Sequence, residues 1–247
     1  MRYFMRLAYN GASFHGWQIQ PHDVSVQETL EKALSTVLRS PIAVTGAGRT
    51  DTGVNASTMI AHFDAPTPIA DVQKLVRQLN AIVGRDIAVY AIFPVHDDAH
   101  ARFDATSRTY KYYLHTQKNP FQERFSWACH YSLDFDLMNE AAQRMLEFTD
   151  FTSFSKLHTD VKTNNCKVTF ARWERAGEQW VFTVTADRFL RNMVRAIVGT
   201  LVEVGRKRIT VEQFCEIIER KDRCSAGQSM PGHALFLHQI TYPYPIL

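Results

Sequence analysis

No stretch of this sequence is long and apolar enough to span a bilayer. A spanning helix needs about 20 nearly uncharged residues. The most apolar long segment, Phe189 to Val204, is interrupted by Arg191 and Arg195. The first residues, Met1-Arg-Tyr-Phe-Met-Arg6, lack the apolar core and cleavage pattern of a secretory leader. Cysteine is scarce. Cys129, Cys166, Cys215 and Cys224 form no C-x-x-C pair and no Cys/His cluster with zinc spacing, so scattered, reduced thiols are expected. The 11 glycines and 9 prolines are too few and too dispersed for a fibrous or collagen-like chain. A P-loop and a dinucleotide-binding fingerprint are both missing. A cytoplasmic enzyme or binding protein is the expectation these absences leave.

What is present fits a folded protein. Hydrophobic residues make up 45% and charged residues 21% of the chain, enough apolar surface to exclude intrinsic disorder. A length of 247 residues suits one large or two modest domains. The net charge of +3 identifies no partner by itself, but its distribution is uneven. Residues 51–100 carry three basic and six acidic side chains, whereas residues 151–200 carry eight and four. Such a basic surface suits phosphate, or is an ordinary solvated face.

Alternation over residues 2–9 predicts a strand with Tyr3, Met5, Leu7 and Tyr9 on one side. Ser25 and Glu28 form a capping-box pattern before a helical stripe running from Val26 to Leu38. Short strands are expected at 42–45 and 58–63, a helix at 72–82 and a strand at 87–93. The order β-α-β-β-α-β is that of a ferredoxin-like unit. It repeats: a strand at 109–116, a helix around 137–146, strands at 166–173 and 180–186, helices at 189–204 and 211–219, and a strand at 236–242. The expected fold is therefore α+β, with two ferredoxin-like halves, residues 1–104 and 105–247, sharing a mixed, mainly antiparallel sheet. No Pro/Ser-rich linker separates them.

The most unusual segment is Gly46-Ala-Gly-Arg-Thr-Asp-Thr-Gly-Val-Asn-Ala56. Glycine permits positive φ and close approach of a ligand to the backbone. Asp51 within it is either a turn-former bonding neighbouring amides or a working carboxylate. An arginine two residues away, Arg49, can hold such a carboxylate ionised and aimed.

This loop resembles the catalytic loop of the tRNA pseudouridine synthase A family, and the resemblance extends over nearly the whole chain. It includes Leu7-Ala-Tyr-Asn-Gly-Ala-Ser-Phe-His-Gly-Trp-Gln18, His100-Ala-Arg-Phe103 with Ser107-Arg-Thr-Tyr-Lys-Tyr112, Asp150-Phe-Thr-Ser-Phe154, and Phe189-Leu-Arg-Asn-Met-Val-Arg-Ala-Ile-Val-Gly-Thr-Leu201. Two departures stand out: the family pattern has Asp at Asn10 and His at Asn55. Asn10 keeps hydrogen-bonding capacity, whereas Asn55 cannot carry the charge of a protonated histidine.

The resemblance implies the pseudouridine synthase fold and an isomerase that converts uridine to pseudouridine in the anticodon stem-loop of tRNA, at positions 38, 39 and 40. No cofactor is implied, because the reaction has no net redox change. A homodimer is implied, with tRNA as partner and no membrane. Asp51 matches the catalytic aspartate, which attacks C1′ or removes a ribose proton. Arg195 matches the active-site arginine and is the expected ion-pair partner of Asp51, on the face of its helix that also carries Arg191 and Gly199. Tyr110 matches the motif tyrosine, as a stacking surface for a flipped uracil or an aid to proton removal. It shares a strand face with Tyr112. Leu237 is expected beneath the base. Arg49, Arg102, Arg108 and Arg191 are expected to contact substrate, with Lys156, Lys162, Lys167, Arg188 and Arg191 as a phosphate track. Two other classes compete. A non-catalytic RNA-binding module has no need of the Asp51 loop. A nucleoside hydrolase normally needs a second carboxylate, and none is evident.

Overall fold

The computed structural model describes residues 1–156 and 163–246. Among them are nine strands, mainly antiparallel, and five α-helices, an α+β fold as the sequence implies. Among the described residues no helix is long and apolar enough to cross a membrane. The chain divides into two compact units: Met1–Thr106 with Leu237–Leu247, and Ser107–Phe236.

The first unit follows the expected order: β1 (Arg2–Tyr9), α1 (Val26–Leu38), β2 (Val44–Gly46), β3 (Asn55–Asp64), α2 (Val72–Ile82) and β4 (Ile87–Pro94). Its strands lie in the order β4-β1-β3, β2 pairs with β3, and β9 (Leu235–Thr241) follows β3. Met5 is opposite Ala61 on one side and Ile92 on the other. Side-chain caps start the helices. Ser25 Oγ accepts the Glu28 N–H at 3.2 Å, and Asp71 Oδ1 accepts the Lys74 N–H at 2.8 Å. Arg39 in the left-handed region ends α1. Leu30, Leu34, Leu75 and Leu79 bury the apolar stripes of both helices. Asn80 of α2 grips β4: its amide nitrogen donates to Val89 O and its oxygen accepts the Val89 N–H, both at 2.8 Å.

One feature of β1 departs from simple alternation. Phe4 faces away from Tyr3 and Met5 and is nevertheless fully buried. The chain after β4 and the C-terminal Tyr242 and Tyr244 cover that second face, with Tyr242 5.5 Å from the Phe4 ring.

The second unit contains β5 (Ser107–His115), β6 (Trp127–Ala128), α3 (Phe135–Arg144), β7 (Val168–Ala176), β8 (Gln179–Ala186), α4 (Met193–Gly205) and α5 (Val211–Glu219). Its strands run β5-β8-β7, with the two-residue β6 beside β5. Asn139 of α3 repeats the grip of Asn80, donating to Trp173 O at 3.0 Å and accepting the Trp173 N–H at 2.7 Å. The helix expected from Phe189 begins instead at Met193. Asn192 adopts a left-handed φ of 67° and its amide donates to Ser229 Oγ, which turns Phe189–Asn192 out of helical conformation. The apolar periodicity spans this turn, so pattern alone could not place the boundary.

Candidate active site

The Asp51 loop lies between β2 and β3 and is fixed from both sides. Thr50 is buried, and its hydroxyl meets the Tyr9 hydroxyl at 2.8 Å. Its carbonyl accepts the Trp17 N–H at 3.2 Å. The Asp51 carbonyl accepts the Val54 N–H at 3.1 Å, closing a turn through Gly53 at φ 75°. The segment carrying Gly11 and Gly16 packs against this turn backbone to backbone. A Cβ on Gly11 would lie 2.2 Å from Val54 O, and one on Gly16 2.4 Å from Thr50 O. Only glycine allows that approach. Asp51 therefore sits half-buried on a turn held by close backbone packing and hydrogen bonds, and a fixed position is what a carboxylate needs to be aimed at a reacting atom.

The two departures from the family pattern have local explanations. Asn10 Oδ1 accepts the Ala12 N–H at 3.0 Å, while its amide nitrogen donates to Asp86 Oδ1 at 3.4 Å. An aspartate there would face Asp86 with like charge. Asn55 is 1% exposed and its Oδ1 accepts the Gly11 N–H at 2.8 Å. It braces the loop from inside.

Arg49 and Arg102 converge. Both line one cleft of about 210 Å³, with Trp17, Gln18, Thr45 and Gly48 completing its wall. Among the described residues Arg49 has no hydrogen-bond or ion-pair partner, and it is exposed. Leu237, 1% exposed, belongs to the same compact unit, and its carbonyl accepts from Ser57 Oγ at 3.3 Å.

The second unit holds the other expected residues. Tyr110 and Tyr112 share one face of β5 but differ in surroundings. Tyr112 is fully buried, burial pushes its phenol well above the ordinary tyrosine range against the pull of the Arg195 charge, and its hydroxyl has no partner. It is a core residue. Tyr110 keeps 9% exposure and meets the Phe189 ring edge-on at 5.0 Å. Arg195, in the first turn of α4, donates from Nε to Met230 O at 2.6 Å, and the Met230 N–H returns to Arg195 O at 3.1 Å. Gly199, expected on the helix face that carries Arg195, is buried. Residues 227–230 cross there, with Gln228 O where a Cβ of residue 199 would lie. Arg191 is exposed on the preceding turn.

Two residues of the expected track, Lys167 and Arg188, bond Asp187 through their backbone, and the Arg108 side chain joins them. The Asp187 carbonyl accepts from Arg108 Nη1 at 2.8 Å, and its Oδ1 accepts the N–H groups of Lys167 and Arg188 at 2.8 and 2.7 Å. Lys156 donates its N–H to Arg191 O at 3.0 Å. Lys162 lies outside the described residues. A larger cavity of about 600 Å³, lined by Asp134, Phe135, Trp180, Arg206 and Lys207, holds none of the expected site residues. It adjoins the C-terminal end of α4, roughly 15 Å along the helix from Arg195.

Sequence reasoning passed over Tyr9, Asn55 and Trp17 as supports of the Asp51 loop. Tyr9 read as one more strand position and Trp17 as a loop aromatic, because their roles depend on contacts 30 to 44 residues away in sequence.

Comparison with known proteins places this arrangement. A family model described as tRNA pseudouridine synthase matches residues 141–243. A protein of Parabacteroides distasonis named tRNA pseudouridine synthase A is 59% identical over 242 residues, covering 98% of this chain and 96% of its own. A Bacteroides fragilis protein of the same name is 57% identical over 246 residues, covering 99% and 98%. One from Bacillus subtilis is 36% identical over 246 residues, covering 98% and 99%. Full-length identity at this level, with the Asp51 loop and the motif containing Arg195 both in place, means that the chain belongs to the tRNA pseudouridine synthase A family.

Proposed function

We propose that this protein isomerises uridine to pseudouridine in tRNA, at uridines 38 to 40 of the anticodon stem-loop. The observation that carries the reading is the Asp51 turn, locked by Gly11, Gly16 and the Tyr9–Thr50 hydroxyl pair, in a chain whose relatives are named for this reaction. The C1′–N1 bond breaks, the uracil turns, C5 bonds to C1′, and the proton on C5 leaves. That proton passes to solvent and N1 takes one up, so atoms balance and nothing is oxidised or reduced. Asp51 attacks C1′, or takes a ribose proton to give a glycal. Both routes need an ionised carboxylate, and Arg195 is assigned as the cation that keeps it so. Tyr110 supplies a π-face for the flipped uracil and a phenol for proton transfer. Leu237 supports the base. Arg49, Arg102, Arg108 and Arg191 hold phosphates, contacts that position RNA without reading its sequence. The protein acts as a homodimer in the cytoplasm, where its substrate is made.

Tritium release from C5-tritiated uridine in unmodified tRNA tests the reading, because replacing the C5 proton by C1′ must expel the label. Release by wild type and none by Asp51→Ala, with tRNA affinity within a few-fold, is the expected result. A folded wild-type protein that binds tRNA but releases no tritium would instead be a non-catalytic RNA-binding module.

A further inference from the structure

The loop that follows β4 is fastened at almost every residue. Arg2 Nη1 donates to Ala99 O at 3.0 Å. His62 Nδ1 accepts the Ala101 N–H at 3.1 Å, and the Tyr242 hydroxyl donates to Ala101 O at 2.6 Å. Asp104 Oδ2 accepts the His100 N–H and the Tyr244 hydroxyl, both at 2.7 Å. His100 Nδ1 accepts the N–H groups of Arg102 and Phe103, both at 3.2 Å. A loop held this way has given up its backbone freedom before it meets a ligand, which lowers the entropic cost of binding.

What the loop displays is a phenyl ring. Phe103 is 74% exposed. Behind it, rings step outward from the core. Phe4 is 6.3 Å from His62, His62 is 4.6 Å from His100, and His100 is 4.2 Å from Phe103 with a 31° tilt. This series of rings ends in solvent. The Arg102 guanidinium lies 5.7 Å from the Phe103 ring centre, and Arg102 shares its cleft with Arg49.

We propose that Phe103 is a stacking platform for an unpaired base of the RNA substrate, with Arg102 taking the adjoining phosphate. The inference rests on the tRNA-modifying reading above. An unpaired base fits because the exposed ring ends a series of packed rings, and a base within a duplex has no free face. A nucleic acid fits better than an apolar protein partner because the Arg102 guanidinium lies over the ring and shares a cleft with Arg49.

The test uses Phe103→Ala, Phe103→Leu and Phe103→Trp with intact tRNA transcripts, and with transcripts carrying one abasic nucleotide at each anticodon-loop position in turn. Phe103→Ala should raise KM roughly 5- to 150-fold, the range found for losing one stacked base, with a much smaller change in kcat and an unchanged Tm. Phe103→Trp should restore KM, and Phe103→Leu should not. One abasic position should weaken the wild type to the level of Phe103→Ala while leaving that variant unaffected. An unchanged KM in Phe103→Ala, a Leu variant as good as wild type, or no coupled position in the RNA would overturn the proposal. A wild-type protein that neither binds nor turns over tRNA overturns the parent reading as well, and is seen before any variant is made.

Discussion

Acid should weaken this protein through His62 before it reaches the carboxylates. The His62 ring is 6% exposed. Burial, aided by the nearby Arg2 and His100, lowers its pKa from 6.5 to about 4, while Asp64 and Asp104 pull in the opposite direction. Above pH 6.5 both folded and unfolded chains carry a neutral ring, so His62 adds no pH dependence. Between 6.5 and about 4 the unfolded chain binds a proton that the folded chain refuses. Stability then falls by up to about 1.4 kcal/mol per pH unit. Across the window the loss approaches 3 kcal/mol, a large share of the ~5–15 kcal/mol that holds a typical domain together. His100, also lowered chiefly by burial, acts in the same direction. Asp64, held low by its hydrogen bond to Arg2, and Asp104, held low by the His100 N–H, contribute stability that is lost only below the ordinary aspartate range. The two windows are separate. Urea unfolding of wild type and His62→Gln from pH 8 to 4.5 provides the measurement. At pH 8 the variant should be less stable by about 1–3 kcal/mol, because the Ala101 N–H loses its acceptor. By pH 4.5 that gap should close or invert. Parallel stability curves would refute the reasoning.

Gly16→Ala should cost at least about 2 kcal/mol and lower kcat, since residue 16 has φ 90° and a Cβ would strike the Thr50 carbonyl beside Asp51; a wild-type denaturation midpoint and turnover would contradict this. Tyr112→Phe should leave turnover intact and be neutral or stabilising by up to about 1 kcal/mol, because it removes a buried hydroxyl with no partner. Tyr110→Phe should keep stacking but lose the phenol-dependent step, so a silent Tyr110 and a damaging Tyr112 would exchange their assignments. Arg195→Lys should lower kcat more than it raises KM, as lysine lacks the planar fork that bonds Met230 O; a change in KM alone would make Arg195 a phosphate contact.

The strand and helix order was legible because each element carries its own period. Leu30 and Leu34, or Leu75 and Leu79, mark a helix face without reference to the rest of the chain. The Asp51 loop was legible through its density of glycine beside Arg49. What could not be read was set by distant contacts. The burial of Phe4 depends on Tyr242 at the other end of the sequence. The true start of α4 depends on a left-handed Asn192 bonded to Ser229, and the covering of Gly199 depends on Gln228. Tyr110 and Tyr112 have the same chemistry two residues apart, and only burial distinguishes them.

The paired grips of Asn80 and Asn139 have a consequence for the protein in a crowded solution. Val89 and Trp173 lie on β4 and β7, each the outermost strand of its own unit. An outermost strand presents unpaired amides and carbonyls, a ready template for a strand of another molecule. Each asparagine occupies both backbone groups of one residue on that rim. An invading strand would find its ladder interrupted midway, with only short stretches left on either side. On β7 a second amide, Gln143, also donates to Ala171 O at 2.7 Å, so amide side chains blunt both rims without a charge or a proline at the bonded residues.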